Sequence, residues 1–202
     1  DGTLWLWGWN QYGELGHNNT VRYSSPVQIP GTNWREGSFN SPGGMLAVKT
    51  DGTLWSWGSN TRGQLGQSTP GPSQKSSPTQ IGSDTTWNTI SGGYKTMNSA
   101  TKTDGTLWTW GSNQNGDLGL NSRTYYSSPV QVPGTTWSDV DSGGYNSIAV
   151  KTDGTAWVWG NNYNGSLGDN SNTQRSSPTQ IPGTSWNTVK GNGGVTLGIK
   201  RT

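Results

Sequence analysis

The chain has 202 residues, including 13 Trp, 32 Gly and no Cys, so its sequence excludes disulfide bonds and thiolate chemistry. Its 13 basic and 11 acidic residues give a net charge of +2 without any basic run, which argues against nucleic acid as the main partner. No apolar stretch has the length of a membrane span, and we expect no membrane insertion.

A short pattern, Asp-Gly-Thr followed by Leu-Trp or Ala-Trp, occurs four times and divides the chain into units that begin near residues 1, 51, 104 and 153. A period of about 50 residues is typical of proteins that repeat one supersecondary unit. We therefore predict a single repeat domain over residues 1–202.

Each unit contains a predicted β-hairpin, which is clearest around Asp51-Gly52. Asp-Gly between two strand-like runs predicts a type I′ turn, which has positive φ at both central residues. In that register Val48 lies opposite Trp55, and Leu46 lies opposite Trp57. The alternation predicts that the Trp-x-Trp pairs of the repeats lie in the core.

A second pair of strands surrounds each Pro-Gly-Thr turn, as in residues 26–29 and the run that begins at Trp34. Four short antiparallel strands per unit predict an all-β fold, a β-propeller of four repeats. The Asp-Gly and Pro-Gly-Thr turns would then lie on one face. The long loops after each Trp-Gly and the Gly-Gly links between units would lie on the other, so that all long loops share one rim.

The two ends of the sequence leave the form of the ring open. Residues 195–200 match the strand that precedes an Asp-Gly turn in the other units, and they would complete the blade begun by residues 1–8. That pairing would close a four-bladed ring. The alternatives are an incomplete ring and a larger ring made from several copies.

Each unit has a segment that contains Trp-Gly and ends in Gly-x-Leu-Gly, in residues 55–66, 7–16, 110–119 and 159–168. These segments resemble the signature of the regulator of chromosome condensation repeat family, in the style of its bacterial and phage members. The resemblance implies a β-propeller, usually seven-bladed, and a function exerted through broad surfaces, as in the family's chromatin-bound exchange factor. The family commonly has a His after Gly-Gly, where this chain has Met45, Tyr94, Tyr145 and Val195.

No residue pattern points to catalysis. His17, the sole histidine, lies in a variable loop without a nearby nucleophile and acid. Asp51 and its repeat equivalents are explained as turn residues. Glu14 and Asp117 occupy one repeat position, where we expect hydrogen bonds to loop amides, and Asp141 lacks the neighbours of a metal site. We predict a protein that is not an enzyme and needs no cofactor or metal.

The long loops contain the candidate ligand-binding residues, because Tyr and Arg are favoured at recognition surfaces and aromatic faces also stack on sugars. The candidates are Tyr12, Arg22, Tyr23, Arg62, Arg123, Tyr125, Tyr126, Tyr163 and Arg175.

The function that these observations favour is a non-enzymatic recognition or adhesion module that presents its loop rim to a protein or a glycan. We expect an extracellular or virion-surface location, with a cytoplasmic one as the alternative. A second interpretation is a structural subunit that self-associates through its terminal strands in a fibre or multi-copy propeller. A third is a regulator similar to a guanine-nucleotide exchange factor.

Overall fold

The computed structural model describes residues 2–69, 73–192 and 194–200, which form 16 β-strands. The strands are β1 Trp5–Gly8, β2 Tyr23–Gln28, β3 Trp34–Asn40, β4 Gly44–Lys49, β5 Leu54–Gly58, β6 Lys75–Gln80, β7 Trp87–Gly92, β8 Met97–Lys102, β9 Leu107–Gly111, β10 Tyr126–Val132, β11 Trp137–Ser142, β12 Asn146–Lys151, β13 Ala156–Gly160, β14 Arg175–Gln180, β15 Trp186–Asn192 and β16 Val195–Lys200. Within these ranges no helix is long and apolar enough to cross a membrane.

The strands form three four-stranded antiparallel sheets, β3–β6, β7–β10 and β11–β14, flanked by the two-stranded sheets β1–β2 and β15–β16. Strands β3, β7, β11 and β15 contact one another from sheet to sheet and are the inner strands of the blades. The predicted all-β propeller fold is confirmed.

Backbone amides of one inner strand bond to side chains of the preceding inner strand. Ser38 Oγ accepts from the Gly92 amide over 2.9 Å, and Ser91 Oγ accepts from the Ser142 amide over 2.9 Å. Asp141 has the same role between the last two blades, where its Oδ2 accepts from the amide of Gly191 in the inner strand β15 over 2.7 Å. Asp141 is therefore explained by blade stacking.

The connections follow the predicted faces but not the predicted blade boundaries. The Pro-Gly-Thr turn after β2 leads to β3 in the next sheet, and the Gly43-Gly44 segment joins β3 to β4 within one sheet. We predicted that the Pro-Gly-Thr turns join two strands of one blade and that the Gly-Gly segments link one blade to the next. Both predictions are wrong, because the two kinds of connection have exchanged places. Because consecutive strands are antiparallel, the long loops and the Gly-Gly turns still share one rim, as predicted.

The predicted hairpin register is wrong by one residue. Trp55 pairs with Ala47 and Trp57 pairs with Met45. The Gly52 amide donates to Lys49 O over 3.0 Å and only Gly52 has positive φ, so the loop has three residues and is a type I turn with a glycine bulge.

The second Trp of each Trp-x-Trp pair is the core of a blade junction. Trp57, Trp110 and Trp159 are fully buried, which confirms the prediction for the second Trp of these units. Their indole N–H groups donate to backbone carbonyls in the long loop of the preceding blade over 2.9, 2.9 and 2.8 Å. The first Trp of each pair in these units is only partly buried: Trp55, Trp108 and Trp157. The prediction fails at Trp5 and Trp7, which are 46% and 57% exposed, because no described blade precedes β1.

The two terminal half-blades stay separate. Strand β1 pairs with β2 and strand β16 pairs with β15, without pairing between β1 and β16 in the described residues. Of the forms that the sequence leaves open, the described residues have the incomplete ring, without closure through residues 195–200. Apolar side chains of β16, Val195, Leu197 and Ile199, are exposed at one end of the arc.

Candidate functional site

A buried Asn gives each long loop its shape. In the loop after β5, Asn60 Oδ1 accepts from the Leu65 amide over 3.1 Å and Asn60 Nδ2 donates to Thr69 O over 3.0 Å. Asn10, Asn113 and Asn162 make the corresponding bonds in the other loops. Four similar loops consequently stand on one rim and differ mainly in their exposed side chains.

A second buried side chain in three of the four loops, at Glu14, Gln64 and Asp117, accepts from the amide two positions before it. Glu14 Oε2 accepts from the Tyr12 amide over 2.6 Å, and Asp117 Oδ2 accepts from the Asn115 amide over 3.2 Å. The predicted bonds from these acids to loop amides are confirmed. Burial raises the pKa of Asp117 to about 6.

Five of the nine candidate residues are exposed on the rim: Arg22, Arg62, Arg123, Tyr125 and Tyr163. Arg22 Cζ lies 3.6 Å from the centroid of the Trp9 ring, and Arg123 donates to Gln174 Oε1 over 3.0 Å. Each of these cations therefore retains direct access to solvent.

The other four candidates are partly buried. Tyr12 packs against Gly43, Tyr126 begins β10, and Tyr23 packs on the core beside β1 while its hydroxyl accepts from Asn19 over 3.1 Å. Arg175 forms an ion pair of 2.8 Å with Asp169. These four side chains therefore have a structural role within their own loops and strands. Their role in ligand binding stays a prediction.

Two adjoining clefts lie between the Gly-Gly turns and the long loops, and we call them together the rim groove. The first has a volume of about 450 Å³, and its lining includes Arg62, Tyr94, Lys95, Gln114 and Tyr125. The second has a volume of about 320 Å³, and its lining includes Lys95, Gln114, Tyr145, Asn161 and Tyr163. Lys95 and Gln114 line both clefts, so the two form one continuous surface.

Cations in the rim groove lie beside aromatic rings. Arg62 Cζ is 5.5 Å from the Tyr125 ring centroid, and Lys95 Nζ is 4.3 Å from the Tyr145 ring centroid. Tyr94 and Tyr163 are 63% and 71% exposed. The groove thus offers charge, hydroxyl groups and aromatic faces to a ligand.

A strained turn holds Tyr94 and Lys95 at the groove. Thr96 has φ of 61°, a region that β-branched residues rarely adopt. Its amide donates to Ser41 O in the preceding blade over 3.0 Å, and the Tyr94 amide donates to Gly143 O in the next blade over 3.2 Å. Backbone strain of this kind is often found at functional sites.

The structure brings together three candidates, Arg62, Tyr125 and Tyr163, and adds Tyr94, Lys95 and Tyr145 from the Gly-Gly turns. Sequence reasoning missed these residues because it treated the turns as connections. The sequence did contain a signal for these turns, because Tyr94 and Tyr145 occupy the position at which related repeats commonly have a His.

The rim and the opposite face differ in accessible charge. Exposed cations on the rim are Arg22, Arg62, Lys75, Lys95 and Arg123, and none forms an ion pair within the described part of the chain. The rim acids Glu14 and Asp117 are buried, and Asp169 is paired with Arg175. The accessible charge of the rim is therefore positive.

On the opposite face lysines and acids lie close together, as in the ion pair of 2.7 Å between Lys102 and Asp84. Lys102 Nζ lies 4.6 and 4.2 Å from the ring centroids of Trp87 and Trp108, an arrangement repeated at Lys151. Asp104 and Asp153 are exposed in their turns. Charges of both signs thus lie on the face opposite the cationic rim.

Groups suited to acid–base or metal chemistry do not converge on the rim groove. His17 packs edge-on against Tyr23 with a centroid distance of 5.2 Å. In the ranges that the structure describes, no three His, Asp or Glu side chains are grouped to hold a metal ion. The arrangement can recognise a ligand through cations, amides and aromatic rings.

The family model for the regulator of chromosome condensation (RCC1) repeat matches residues 1–36, 51–96, 104–150 and 153–191, and a second model of this repeat matches residues 137–166. The chain belongs to the RCC1 repeat family. The comparison with curated proteins gives no match.

Solved structures of RCC1-like propellers share the fold of this RCC1-repeat chain. Human WBSCR16 is 21% identical with a TM-score of 0.86, and the match covers 100% of this chain and 54% of WBSCR16. Prp20p from Saccharomyces cerevisiae is 21% identical with a TM-score of 0.84, over 99% of this chain and 52% of Prp20p. Yeast RCC1 (Prp20) in complex with Kap60 is 22% identical with a TM-score of 0.81, over 100% and 51% of the two chains. The chain spans about half the length of these structures.

Proposed function

We propose that this RCC1-repeat chain is a non-enzymatic recognition module that binds a partner protein through the rim groove. The observation that carries the proposal is the convergence of exposed Tyr and basic side chains from separate turns and loops on one continuous surface. Exposed tyrosines without a packing role in the core are typical anchors of protein interfaces.

The relatives support a protein as the partner class. The structure of Prp20p is described together with its binding to Gsp1p and histones, and yeast RCC1 is seen bound to Kap60. These partners belong to those proteins, and they support a protein rather than a glycan here by analogy. The exchange-factor interpretation rests on the same likeness of fold. The extracellular or virion-surface location stays a prediction.

The proposal is tested by capture on the immobilised chain, with extract of the source cells applied to wild type and to a Tyr94→Ala/Tyr163→Ala variant. We expect capture of a protein to fall about tenfold or more in this variant, since interface aromatics often contribute 2 kcal/mol or more. A Thr135→Ala/Thr184→Ala variant, changed at exposed positions of the opposite face, is the matched control. Equal capture by all three proteins, or binding to a glycan array alone, would contradict the proposal.

A second candidate function, a multi-copy assembly, is favoured by the unpaired strand edges of β1 and β16 in the described structure. Strands β15–β16 supply the inner pair of a blade and β1–β2 supply an outer pair, and exposed apolar side chains line both edges. Pairing of β16 with β1 of a second copy would complete a four-stranded blade and cover those side chains. Such a head-to-tail interface produces a closed ring or a filament.

Light scattering over a range of chain concentrations tests this second candidate. We expect oligomers that dissociate in a Leu197→Lys/Ile199→Lys variant, because buried charges would disfavour pairing at β16. A Val21→Lys variant, changed at a loop residue that is 57% exposed, should assemble as wild type does. A wild-type chain that stays monomeric at the highest concentration would rule this candidate out.

A further inference from the structure

We infer that the rim groove takes an acidic segment of a partner protein, with carboxylates seated at Arg62 and Lys95. This inference rests on the proposed function and specifies the chemistry of its partner. The first support is the charge inventory of the rim, where the exposed side chains supply cations and the acids are buried or paired.

The second support is the position of the two cations in the groove. Arg62 lines the first cleft, and Lys95 lines both clefts. Neither forms an ion pair with a described residue; each lies beside a tyrosine ring instead. A tyrosine face holds a cation in place without neutralising it, so the charge stays available to an incoming carboxylate.

The third support is the setting of these cations. The amides of Gln114 and Asn161 and the hydroxyl groups of Tyr94, Tyr125 and Tyr163 surround them at the groove. Clefts of about 450 and 320 Å³ suit a few side chains each. Cations that have neutral hydrogen-bonding groups and aromatic rings around them fit an acidic peptide segment.

A continuous polyanion fits less well, because the rim cations come from separate loops and turns. Arg22 lies on Trp9 at one end of the arc, whereas Arg123 lies at Gln174 in a different blade junction. A nucleic acid or sulfated glycan gains affinity from every cation along its path. An acidic segment seated in the groove depends chiefly on Arg62 and Lys95.

The test measures binding of a labelled twelve-residue peptide of Asp, Glu, Tyr and Gly to the full chain by fluorescence anisotropy, with the Asn/Gln analogue as the neutral probe. We expect the acidic peptide to bind, the neutral one to bind at least about tenfold more weakly, and salt to weaken the acidic complex. An Arg62→Gln/Lys95→Gln variant should lose about tenfold in affinity.

A Lys75→Gln/Arg123→Gln variant removes the same charge from exposed rim positions outside the two clefts and is the matched control. Equal losses in the two variants would overturn the inference, because they would show attraction to the rim as a whole. Tighter binding of oligo(dT) or heparin than of the peptide would overturn it as well.

Failure of the inference is distinguishable from failure of the proposed function. If the acidic peptide does not bind while Tyr94→Ala/Tyr163→Ala still abolishes capture of a partner protein, the acidic partner is wrong and the recognition surface stands. If capture is unaffected by the tyrosine variant, the proposed function itself is wrong.

Discussion

Asp117 has a structural role, and its buried carboxyl group makes the stability of the protein depend on pH. Its backbone carbonyl accepts from the Trp159 indole over 2.8 Å and from Ser147 Oγ over 2.9 Å, which ties its loop to the next blade. The residue is 3% exposed, and its Oδ1 has no hydrogen-bond partner in the described structure. The equivalent Gln64 makes the same backbone contacts with a neutral side chain. A buried carboxylate is therefore tolerated here and is not needed.

An Asp117→Asn variant should change the pH dependence of stability. Burial raises the pKa of Asp117 from 3.8 to about 6, so the folded state favours the protonated form. Its contribution to stability is complete below pH 3.8 and is lost as pH rises through about 6. Between pH 4 and 7 we expect the free energy of unfolding of wild type to fall relative to that of the variant by about 2 kcal/mol.

Urea denaturation at a series of pH values measures this difference. Asp153→Asn is the control with the opposite sign, because hydrogen bonds from the side chain and amide of Thr155 lower the pKa of Asp153. Its stabilising contribution is present above the ordinary pKa and is lost as pH falls through the lowered one. A wild-type minus Asp117→Asn difference that stays constant with pH would contradict the account of Asp117.

The Asp-Gly-Thr hairpins show that the sequence predicts a hairpin more readily than the length of its loop. Asp-Gly alone predicts a hairpin correctly, yet it suits both a two-residue and a three-residue loop. Thr53 decides between them, because its amide and hydroxyl donate to Asp51 Oδ1 over 3.0 and 2.7 Å and complete the longer loop. The Thr recurs in all four copies of the pattern. The Thr after Asp-Gly therefore indicates a three-residue loop and, with it, the observed register.

The glycine of each Trp-Gly sets how closely its strand approaches the Gly-Gly turn of the same blade. A Cβ on Gly111 would lie 2.1 Å from Thr96 O, the backbone of the turn that holds Lys95. Gly8 occupies the same repeat position in the half-blade, where a Cβ would meet nothing within 4 Å. Their φ values of 98° and 107° are similar, so the two sites differ mainly in the clash.

We expect Gly111→Ala to destabilise the chain by about 2 kcal/mol more than Gly8→Ala, because both changes strain the backbone but only Gly111→Ala displaces the turn. Thermal unfolding followed by Trp fluorescence gives the comparison. Gly111→Ala should also weaken ligand binding at the groove, whereas Gly8→Ala should not. Equal destabilisation by the two variants would show that the turn is not fixed by this contact.

For the molecule as a whole, repeat period and strand pattern were enough to predict an all-β propeller with Arg22, Arg62 and Arg123 on one rim, whereas the position of Lys95 beside them and the burial of the rim acids were not predicted. The rim cations are far apart along the chain and do not form a basic run: Arg22, Arg62, Lys95 and Arg123. Only the stacking of similar blades brings their loops and turns to one edge. The same stacking explains why exposed Trp7 departs from its buried equivalents, since burial there requires a neighbouring blade.

The central claim is that the rim groove is the recognition surface and that the opposite face, with the Asp-Gly-Thr turns, is not. NMR spectra of the ¹⁵N-labelled chain, recorded during titration with the acidic peptide, test it most directly. The account predicts that shift changes concentrate at residues 61–64, 93–96, 114–115, 125 and 161–164, with the Asp-Gly-Thr turns at 51–53, 104–106 and 153–155 unchanged. Shift changes centred on those turns, or spread evenly over both faces, would contradict it.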